Sequence, residues 1–376
     1  SSIDTACKQM LTADVPVGIA LSGGIDSSLV AAICASHTDA KPQTFSVGYK
    51  GRPVTDERDI AKRYAASLDL PFQEIEIDTD EVTSSFSDLV DAMDTPIGDI
   101  AALGYYKVAQ AARDAGIPVL LSGIGGDEFF WGYDWVRQMV HARAGLPMAS
   151  TSDAPKRQRW RDFVRGRSNR SAATLSQDPV SIFYGNDELT NSAALTATLL
   201  QKHDVARDHW LKATSFDTAT QPDIDVSDSL NKSWLSGNCL SLLDSMSMAH
   251  SIEMRVPFLD IELVEQVTSM RRGGLADWQK PHKWLLLEAY GHLLPDEIKY
   301  RAKQGFTPPT QEWMKSITSA YLPTLGSDSA LVKYDVCDDM TLSDVKQKAS
   351  LSYHYKLVLL EKWLTKIDSS PVDAHP

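Results

Sequence analysis

Apolar and polar residues follow one another in short blocks along roughly the first 140 residues, and these blocks predict strands that alternate with helices. Runs rich in β-branched and aromatic residues predict strands over 17–21, 43–49, 72–77 and 117–121. Amphipathic spacing between them predicts helices over 29–35, 56–68, 81–93 and 103–115. Such alternation is typical of a parallel sheet with helices on both faces. We therefore predict an α/β fold built on a doubly wound parallel sheet.

The alternation stops after the fourth predicted strand. The stretch from about Arg143 to Asp178 is polar and rich in Arg, Ser and Thr, which favours a surface insertion. From about Asp225 to Leu364 the apolar spacing predicts mostly helices, which we expect to cover the ligand edge of the sheet. These changes predict three parts: an α/β core over 1–142, a polar insertion and helical linker over 143–225, and a helical extension over 226–376.

The first predicted strand ends in a turn that is suited to bind a polyphosphate. The turn is made of small and hydroxyl residues with one acid, and its members are Ser22, Gly23, Gly24, Ile25, Asp26, Ser27 and Ser28. Glycines let the backbone approach a ligand, and N–H groups at the start of the following helix attract anions. The carboxylate of Asp26 suits a Mg²⁺ bound to phosphate. The alternative for the whole turn is an ordinary helix cap. The turn lacks both Gly-Lys-Ser/Thr and GxGxxG, which argues against a Walker A loop and a dinucleotide fold.

A second glycine-rich turn follows the fourth predicted strand. It runs from Ser122 to Glu128 and reads Ser-Gly-Ile-Gly-Gly-Asp-Glu. Because the carboxyl ends of parallel strands meet at one edge of a sheet, we expect Asp26 and Asp127 to face each other there. Two carboxylates that share one Mg²⁺ avoid their mutual repulsion and neutralise a phosphate leaving group. The alternative is that Asp127 and Glu128 only favour the start of a helix.

Composition and charge exclude several classes of function. The net charge is −13 and the pI about 5.1, which opposes a general nucleic-acid binder. A basic run over 156–170 is the local exception. It could contact an anionic partner, but a solvated helix face or mobile loop is the simpler interpretation. No segment resembles a membrane span or a secretory signal, so no membrane partner is expected. The scattered cysteines, without a CxxC pair, favour reduced thiols in a cytoplasmic protein and argue against a zinc site.

The pattern Ser-Gly-Gly-x-Asp-Ser at 22–27 resembles the pyrophosphate loop of the ATP-pyrophosphatase families, which cleave ATP between the α and β phosphates. The turn at 122–128 and the run Asp-Ser-Met-Ser-Met-Ala-His-Ser-Ile-Glu-Met-Arg-Val-Pro-Phe-Leu-Asp at 244–260 narrow the choice. Lys283 and Arg-Ala-Lys-Gln-Gly-Phe at 301–306 complete the order of one family. The chain resembles the C-terminal synthetase domain of glutamine-dependent asparagine synthetases over nearly its full length. Its fold is thus expected to be adenine nucleotide α-hydrolase-like, and β-lactam synthetases share this domain.

The resemblance implies ATP and Mg²⁺ as cofactors and assigns residues to them. Pyrophosphate is expected on Ser22, Gly23, Gly24, Asp26, Ser27 and Ser28. Adenine and ribose are expected beside Leu21, Val47, Ser122 and Gly123. Asp26 and Asp127 match the magnesium ligands, Lys283 a lysine on phosphate, and Lys303 the lysine at the acyl-adenylate. Lys303 lies in a loop with one glycine and two prolines. An ammonium group held there would stabilise the negative charge that develops in the reaction. The alternative is a solvated surface lysine.

The resemblance also implies a reaction. A small-molecule carboxylic acid, with aspartate as the first choice, is activated as an acyl-adenylate with release of pyrophosphate, and ammonia or an amine then displaces AMP. The ammonia would come from a glutaminase domain or subunit outside this sequence, and the resemblance also allows a homodimer. Ile124 stands where asparagine synthetases often carry a carboxylate, so an amidotransferase or cyclase acting on a sugar acid, a peptide or a β-lactam-type substrate is the main alternative.

Two further alternatives belong to other classes of protein. A tRNA-modifying enzyme of the same superfamily should show a basic face and often paired cysteines, and the sequence has neither. A non-catalytic nucleotide-binding module would bind ATP without releasing pyrophosphate.

Two charged residues and a histidine of the run at 244–260 have simple structural interpretations. Glu253 and Arg255 are predicted to form a structural pair on a helix, rather than a catalytic acid and an anion clamp. His250 is predicted to be a hydrogen-bonded interior histidine, since no second ligand lies at metal spacing.

Overall fold

The computed structural model describes residues 2–38, 40–145, 221–301 and 308–369. Its sheet has five strands, which are β1 (Val17–Ala20), β2 (Gln43–Tyr49), β3 (Phe72–Ile77), β4 (Val119–Leu121) and β5 (Glu253–Arg255). The strands lie in the order β3-β2-β1-β4-β5, and every neighbouring pair is parallel. With helices on both faces, this arrangement confirms the predicted α/β fold.

Eight helices accompany the first four strands. They are α1 (Ser2–Met10), α2 (Ile25–His37), α3 (Arg58–Ser67), α4 (Thr79–Ser84), α5 (Phe86–Ala92), α6 (Ala102–Asp114), α7 (Gly126–Phe129) and α8 (Asp134–Arg143). The helix predicted over 81–93 is therefore two helices, which separate at Ser85. The reason is tertiary, because α4 packs on one C-terminal helix (Thr310–Tyr321) and α5 on another (Leu351–Ser369).

The C-terminal part is mostly helical, as predicted. Its α-helices are α9 (Pro222–Leu230), α10 (Ser241–Met248), α11 (Ile261–Arg272), α12 (Trp284–Tyr290), α13 (Asp296–Lys299), α14 (Thr310–Tyr321), α15 (Ala330–Lys333), α16 (Asp339–Lys348) and α17 (Leu351–Ser369). A wider π-helical stretch, Asn231–Leu240, joins α9 to α10 without a break in the helical backbone. None of the helices in the described ranges is long and apolar enough to cross a bilayer.

Alternate residues of the strands face opposite layers of helices. Ile19 and Leu121 point into a core shared with α2, α3 and the helices around 258–298. Phe45 and Leu120 point into the opposite core, where they pack with α6. Because both faces of the central strands are apolar and covered, the edge formed by the carboxyl strand ends is where a polar ligand has access.

The fifth strand was not expected from the sequence. Glu253 and Arg255 lie on β5 and not on a helix, so that part of the prediction is wrong, and one strand comes from outside the predicted core of residues 1–142. A strand of three residues is too short to show an alternating pattern. It forms because β4 and the residue before it supply hydrogen-bond partners: the Glu253 N–H donates to the Pro118 carbonyl over 2.9 Å. The two side chains do pair, at 2.8 Å between Arg255 Nε and Glu253 Oε1. Arg255 also donates to the carbonyl oxygens of Met10, the last residue of α1, and of Thr12 just beyond it.

Candidate active site

The two glycine-rich turns lie side by side, because they follow the neighbouring strands β1 and β4. Between them and the π-helical stretch lies a cavity of about 410 Å³. The predicted site residues that line it are Leu21, Ser22, Gly24, Asp26, Ser27, Val47, Ser122, Gly123 and Asp127. Gly23 and Ser28 belong to the same turn but not to the cavity wall, and Ser28 is fully buried. The basic run 156–170 and Lys303 lie outside the described residues.

The first turn is held in shape by its own hydroxyl groups. The Ser22 N–H donates to Ser27 Oγ over 3.1 Å, and the two hydroxyls are 3.0 Å apart. Gly24 donates its N–H to Ser22 Oγ, and Ser27 donates to the Gly24 carbonyl. Gly23 has φ +83°, a left-handed conformation that favours glycine. These internal hydrogen bonds hold the turn in one shape, which lowers the entropy lost when a ligand binds.

Asp26 and Asp127 meet at a single cation, the ammonium group of Lys283. Lys283 Nζ lies 2.6 Å from Asp127 Oδ1 and also contacts Asp26 Oδ2. The lysine is 2% exposed, and the side chains of the two acids are 17% and 13% exposed. Burial alone would lower the pKa of Lys283, but the adjacent Asp127 and Asp26 outweigh it and raise the pKa above its ordinary value. The lysine is therefore charged at neutral pH.

Glycines in and shortly after the second turn allow the two acids to approach each other. A Cβ at Gly126 would overlap the Asp26 carboxylate, and one at Gly132 would overlap the Asp127 carboxylate. A Cβ at Gly123 would lie 2.6 Å from the backbone nitrogen of Ser27. The two turns therefore pack backbone against backbone, which no larger residue permits without a shift of one turn.

We expect Gly123→Ala to separate the turns, because its added methyl meets backbone rather than a movable side-chain end. Overpacking of this kind costs about 1–3 kcal/mol. Urea denaturation should show that loss of stability, and titration with ATP should show weaker binding. Gly237→Ala is the matched control, since a Cβ at Gly237 meets no atom within 4 Å. If Gly123→Ala behaves like this control, the close packing of the turns is not required.

A buried carboxylate stands directly behind the second turn. Glu128 is 3% exposed and accepts hydrogen bonds from the Gly125 N–H (3.0 Å) and the Tyr133 hydroxyl (2.7 Å). The thiol of Cys239, on the π-helical stretch, donates to the same carboxylate over 3.7 Å. Burial raises the pKa of Glu128, the Tyr133 hydrogen bond opposes that rise, and the charge of Asp127 adds to it. Glu128 thereby ties the turn to its flanking loop and to the opposite cavity wall.

A buried ion pair lies against the segment that follows the second turn. Arg271 and Asp277 are each 2% exposed, with Arg271 Nε and Nη2 at 3.0 and 2.8 Å from the two carboxylate oxygens. The guanidinium also donates to the Phe129 carbonyl and lies 4.4 Å from the ring centroid of Trp131. Trp131 has φ +57°, a conformation that costs a non-glycine residue free energy and needs support from its surroundings. The pair therefore supports the segment that carries Asp127.

The geometry fits a nucleotide with its metal. The cavity has the size of small-ligand sites, and Ser22, Gly24 and Ser27 of the first turn form part of its wall at the start of α2. The two acids already share one cation, so their oxygens are placed as hard ligands of the type that Mg²⁺ prefers. Among the residues that the structure describes, no cluster of three or more acid, His or Cys side chains is arranged around a metal position. A metal here would therefore take its other ligands from phosphate and water.

Comparison with known proteins gives the family. The asparagine synthase family model matches residues 1–365. This chain is a member of the asparagine synthase family.

Known relatives of this chain are longer proteins that match it over about half of their length. It is 29% identical over 332 residues to glutamine-hydrolysing asparagine synthetase 1 of Bacillus subtilis, covering 86% of the chain and 51% of that protein. It is 31% identical over 342 residues to a putative asparagine synthetase of Mycobacterium tuberculosis, covering 87% and 50%. Amidase chyE of Penicillium rubens is 26% identical over 351 residues, covering 82% and 51%. The chain thus spans about half the length of the curated relatives it matches.

Several cavity residues were not predicted from the sequence. Trp234, Asn238 and Cys239 reach the cavity from the π-helical stretch, a kind of helix that often occurs at functional sites. Asp99 lines the opposite side and accepts a hydrogen bond from Asn238 over 2.9 Å. Their sequence signal is weak, because isolated residues outside the two glycine-rich turns look like ordinary surface or core positions. His250 packs edge-on against Tyr106, and its Nε2 makes no hydrogen bond within the described ranges, which contradicts the predicted hydrogen-bonded role.

Proposed function

We propose that the chain is an ATP- and Mg²⁺-dependent amide ligase, which activates a carboxylic acid as its acyl-adenylate and passes the acyl group to ammonia or an amine. The observation that carries this proposal is the convergence of Asp26 and Asp127 on one cation, beside a cavity floored by a preformed donor-rich turn. Membership of the asparagine synthase family supports it. The domain pattern of the relatives supports a glutaminase domain or subunit as the source of ammonia.

The chain's own residues account for the first step. The first turn binds the phosphates through the residues that reach the cavity wall, Ser22, Gly24 and Ser27, and the Asp26 and Asp127 carboxylates would hold Mg²⁺. Mg²⁺ supplies charge neutralisation of the leaving pyrophosphate when it is bound. The substrate carboxylate attacks the α-phosphorus, the bond to the β-phosphate oxygen breaks, and pyrophosphate leaves. Walls of Leu21 and Val47 on one side and Ser122 and Gly123 on the other suit adenine and ribose.

In the second step ammonia or an amine adds to the acyl carbon, and AMP leaves with the shared oxygen. The tetrahedral intermediate carries negative charge, and a nearby ammonium stabilises it. Lys303 is proposed for this role on the sequence alone, because it lies outside the described residues. Lys283 is proposed as a phosphate contact, and its position beside both acids puts its charge at the same edge of the sheet.

The cavity lining favours the alternative to aspartate as the acid. Among the described residues of the wall, five are acidic and none is a lysine or arginine. A second carboxylate, as in aspartate, would face these acids, and a like charge costs several kcal/mol in such a site. The described cations next to the wall are already paired, Arg301 with Glu57 and Lys283 with Asp26 and Asp127. Ile124, Tyr133 and Trp234 add apolar and aromatic surface instead. This lining supports an amidotransferase or cyclase whose acid substrate has an uncharged or amine-bearing remainder.

We expect pyrophosphate release to depend on both ATP and acid, and to be faster with neutral, aromatic or amine-bearing acids than with aspartate. The expected preference is at least about tenfold, which corresponds to about 1.4 kcal/mol. The measurement is pyrophosphate release across aspartate, a sugar acid, a β-amino acid and a short peptide, with acid-free reactions as the control. A preference for aspartate would contradict the interpretation of the lining. ATP binding without pyrophosphate release from any acid would instead indicate a non-catalytic nucleotide-binding module.

A further inference from the structure

Lys283, which lies between the two acids, is more deeply buried than a residue that only contacts phosphate needs to be. Lys283 is 2% exposed, and its ammonium contacts one oxygen from each carboxylate, at 2.6 Å for Asp127 Oδ1. Asp26 and Asp127 are themselves mostly buried, so without the lysine two negative charges would face each other in a medium that screens them poorly. The ammonium therefore acts as the internal counter-ion of the acid pair.

The backbone conformation of Lys283 and one backbone hydrogen bond hold its ammonium beside the acid pair. Lys283 precedes α12 with φ +56° and ψ 22°, a left-handed conformation that disfavours residues with a side chain. Its N–H donates to the Phe130 carbonyl over 3.0 Å, at the end of the segment that begins with Asp127. The strained residue is thus tied to the same loop as one of its two carboxylate partners. Such strain persists only where the surrounding contacts determine it.

The ammonium and a metal ion compete for the same oxygens. Mg²⁺ needs about six oxygen ligands in octahedral geometry and loses its water reluctantly. In the part of the chain that the structure describes, no third metal-binding side chain joins the two acids. A metal that arrives alone would have to displace a buried ammonium for only two protein ligands. When ATP is present, its phosphates supply further ligands and also give the displaced ammonium a new anionic partner.

We propose that Lys283 occupies the cation position between Asp26 and Asp127 in the ligand-free protein and yields it to the metal only when the ATP phosphates arrive. This inference rests on the proposed function, because it takes the two acids to be the metal ligands. It makes metal binding conditional on nucleotide. It also assigns Lys283 a positioning role before it contacts phosphate.

The test uses Mn²⁺ as a probe in the absence of nucleotide, since Mn²⁺ shares the oxygen preference of Mg²⁺ and is detected by electron paramagnetic resonance. The wild-type protein should leave Mn²⁺ free. Lys283→Met, which keeps the length of the side chain and removes the charge, should bind Mn²⁺ at least about tenfold more tightly. Lys283→Met should also melt at a lower temperature than the wild type, and Mn²⁺ should restore part of the loss.

Two further variants serve as controls for this test. Lys280→Met removes an exposed lysine three residues away and should leave Mn²⁺ free, as in the wild type. The double variant Lys283→Met/Asp127→Asn should lose the Mn²⁺ binding gained by the single variant. The proposal is overturned if Lys283→Met binds Mn²⁺ no better than Lys280→Met.

The wild type alone also tests the proposal, should Lys283→Met fail to fold. Mn²⁺ binding to wild-type protein without nucleotide, abolished by Asp127→Asn, would overturn it, whereas free Mn²⁺ in the same titration supports it. Pyrophosphate release by the wild type, measured in parallel, reports on the proposed ligase activity. Release together with nucleotide-free Mn²⁺ binding would remove the gating role of Lys283 and leave the ligase assignment intact.

Discussion

Asp127→Asn should lower the rate of pyrophosphate release by about a thousandfold, because it removes one of two carboxylates proposed to hold the metal at the leaving group. Asparagine keeps the shape of the side chain, so the turn at 122–128 should keep its backbone. Lys283 retains Asp26 as a partner, which limits the loss of stability. Steady-state pyrophosphate release at saturating ATP and Mg²⁺ measures the effect, and thermal unfolding checks that the variant is folded.

Asp134→Asn is the control for this substitution. It makes the same chemical change seven positions later, at an aspartate that is 67% exposed and forms only a loose surface pair with Arg137 at 3.7 Å. Its activity should match that of the wild type. An Asp127→Asn protein that is folded and releases pyrophosphate at the wild-type rate would remove the acid pair from the mechanism.

Arg271→Met should destabilise the protein by about 3–5 kcal/mol, the range found when one member of a buried ion pair is removed. The change leaves the Asp277 carboxylate buried without its guanidinium, and the Phe129 carbonyl and the Trp131 ring lose the same contact. Since these groups support the segment that carries Asp127, ATP binding should weaken as well. Urea denaturation gives the free energy of unfolding, and nucleotide titration gives the affinity.

The neighbouring residue provides a matched comparison. Arg272→Met removes an exposed arginine from the same turn of α11, and surface changes of this kind alter stability by no more than about 0.5 kcal/mol. Equal stabilities of the two variants would show that the buried pair is not a support of the loop. Arg271→Lys distinguishes charge from geometry, because a lysine cannot bind Asp277 through two parallel hydrogen bonds.

Much of the site follows from local sequence together with one topological rule. The strands at 17–21 and 117–121 were predicted to within two residues of their observed limits, because each is an apolar run bounded by turn residues. Parallel strands place their carboxyl ends at one edge, so the proximity of Asp26 and Asp127 follows from the sequence pattern. The roles assigned to these acids stay predictions.

What could not be predicted depends on contacts between distant parts of the chain. Lys283 was expected near phosphate, but its place between the two acids requires the left-handed backbone and the Phe130 contact, which no local pattern encodes. Arg271 lies on an amphipathic helix, where a charged residue predicts solvent and not a buried partner. The fifth strand is three residues long, and its conformation is set by β4 rather than by its own side chains.

The late position of β5 in the chain has a consequence for biosynthesis. β4 leaves the ribosome more than a hundred residues before its outer neighbour, so the nascent α/β unit carries an unpaired strand edge for much of its synthesis. Open edges of this kind recruit other strands, and transient exposure during synthesis favours aggregation. Truncated forms that stop before residue 253 should therefore be poorly soluble, and chaperones that shield strand edges should matter more for this protein than for folds that close their sheet early.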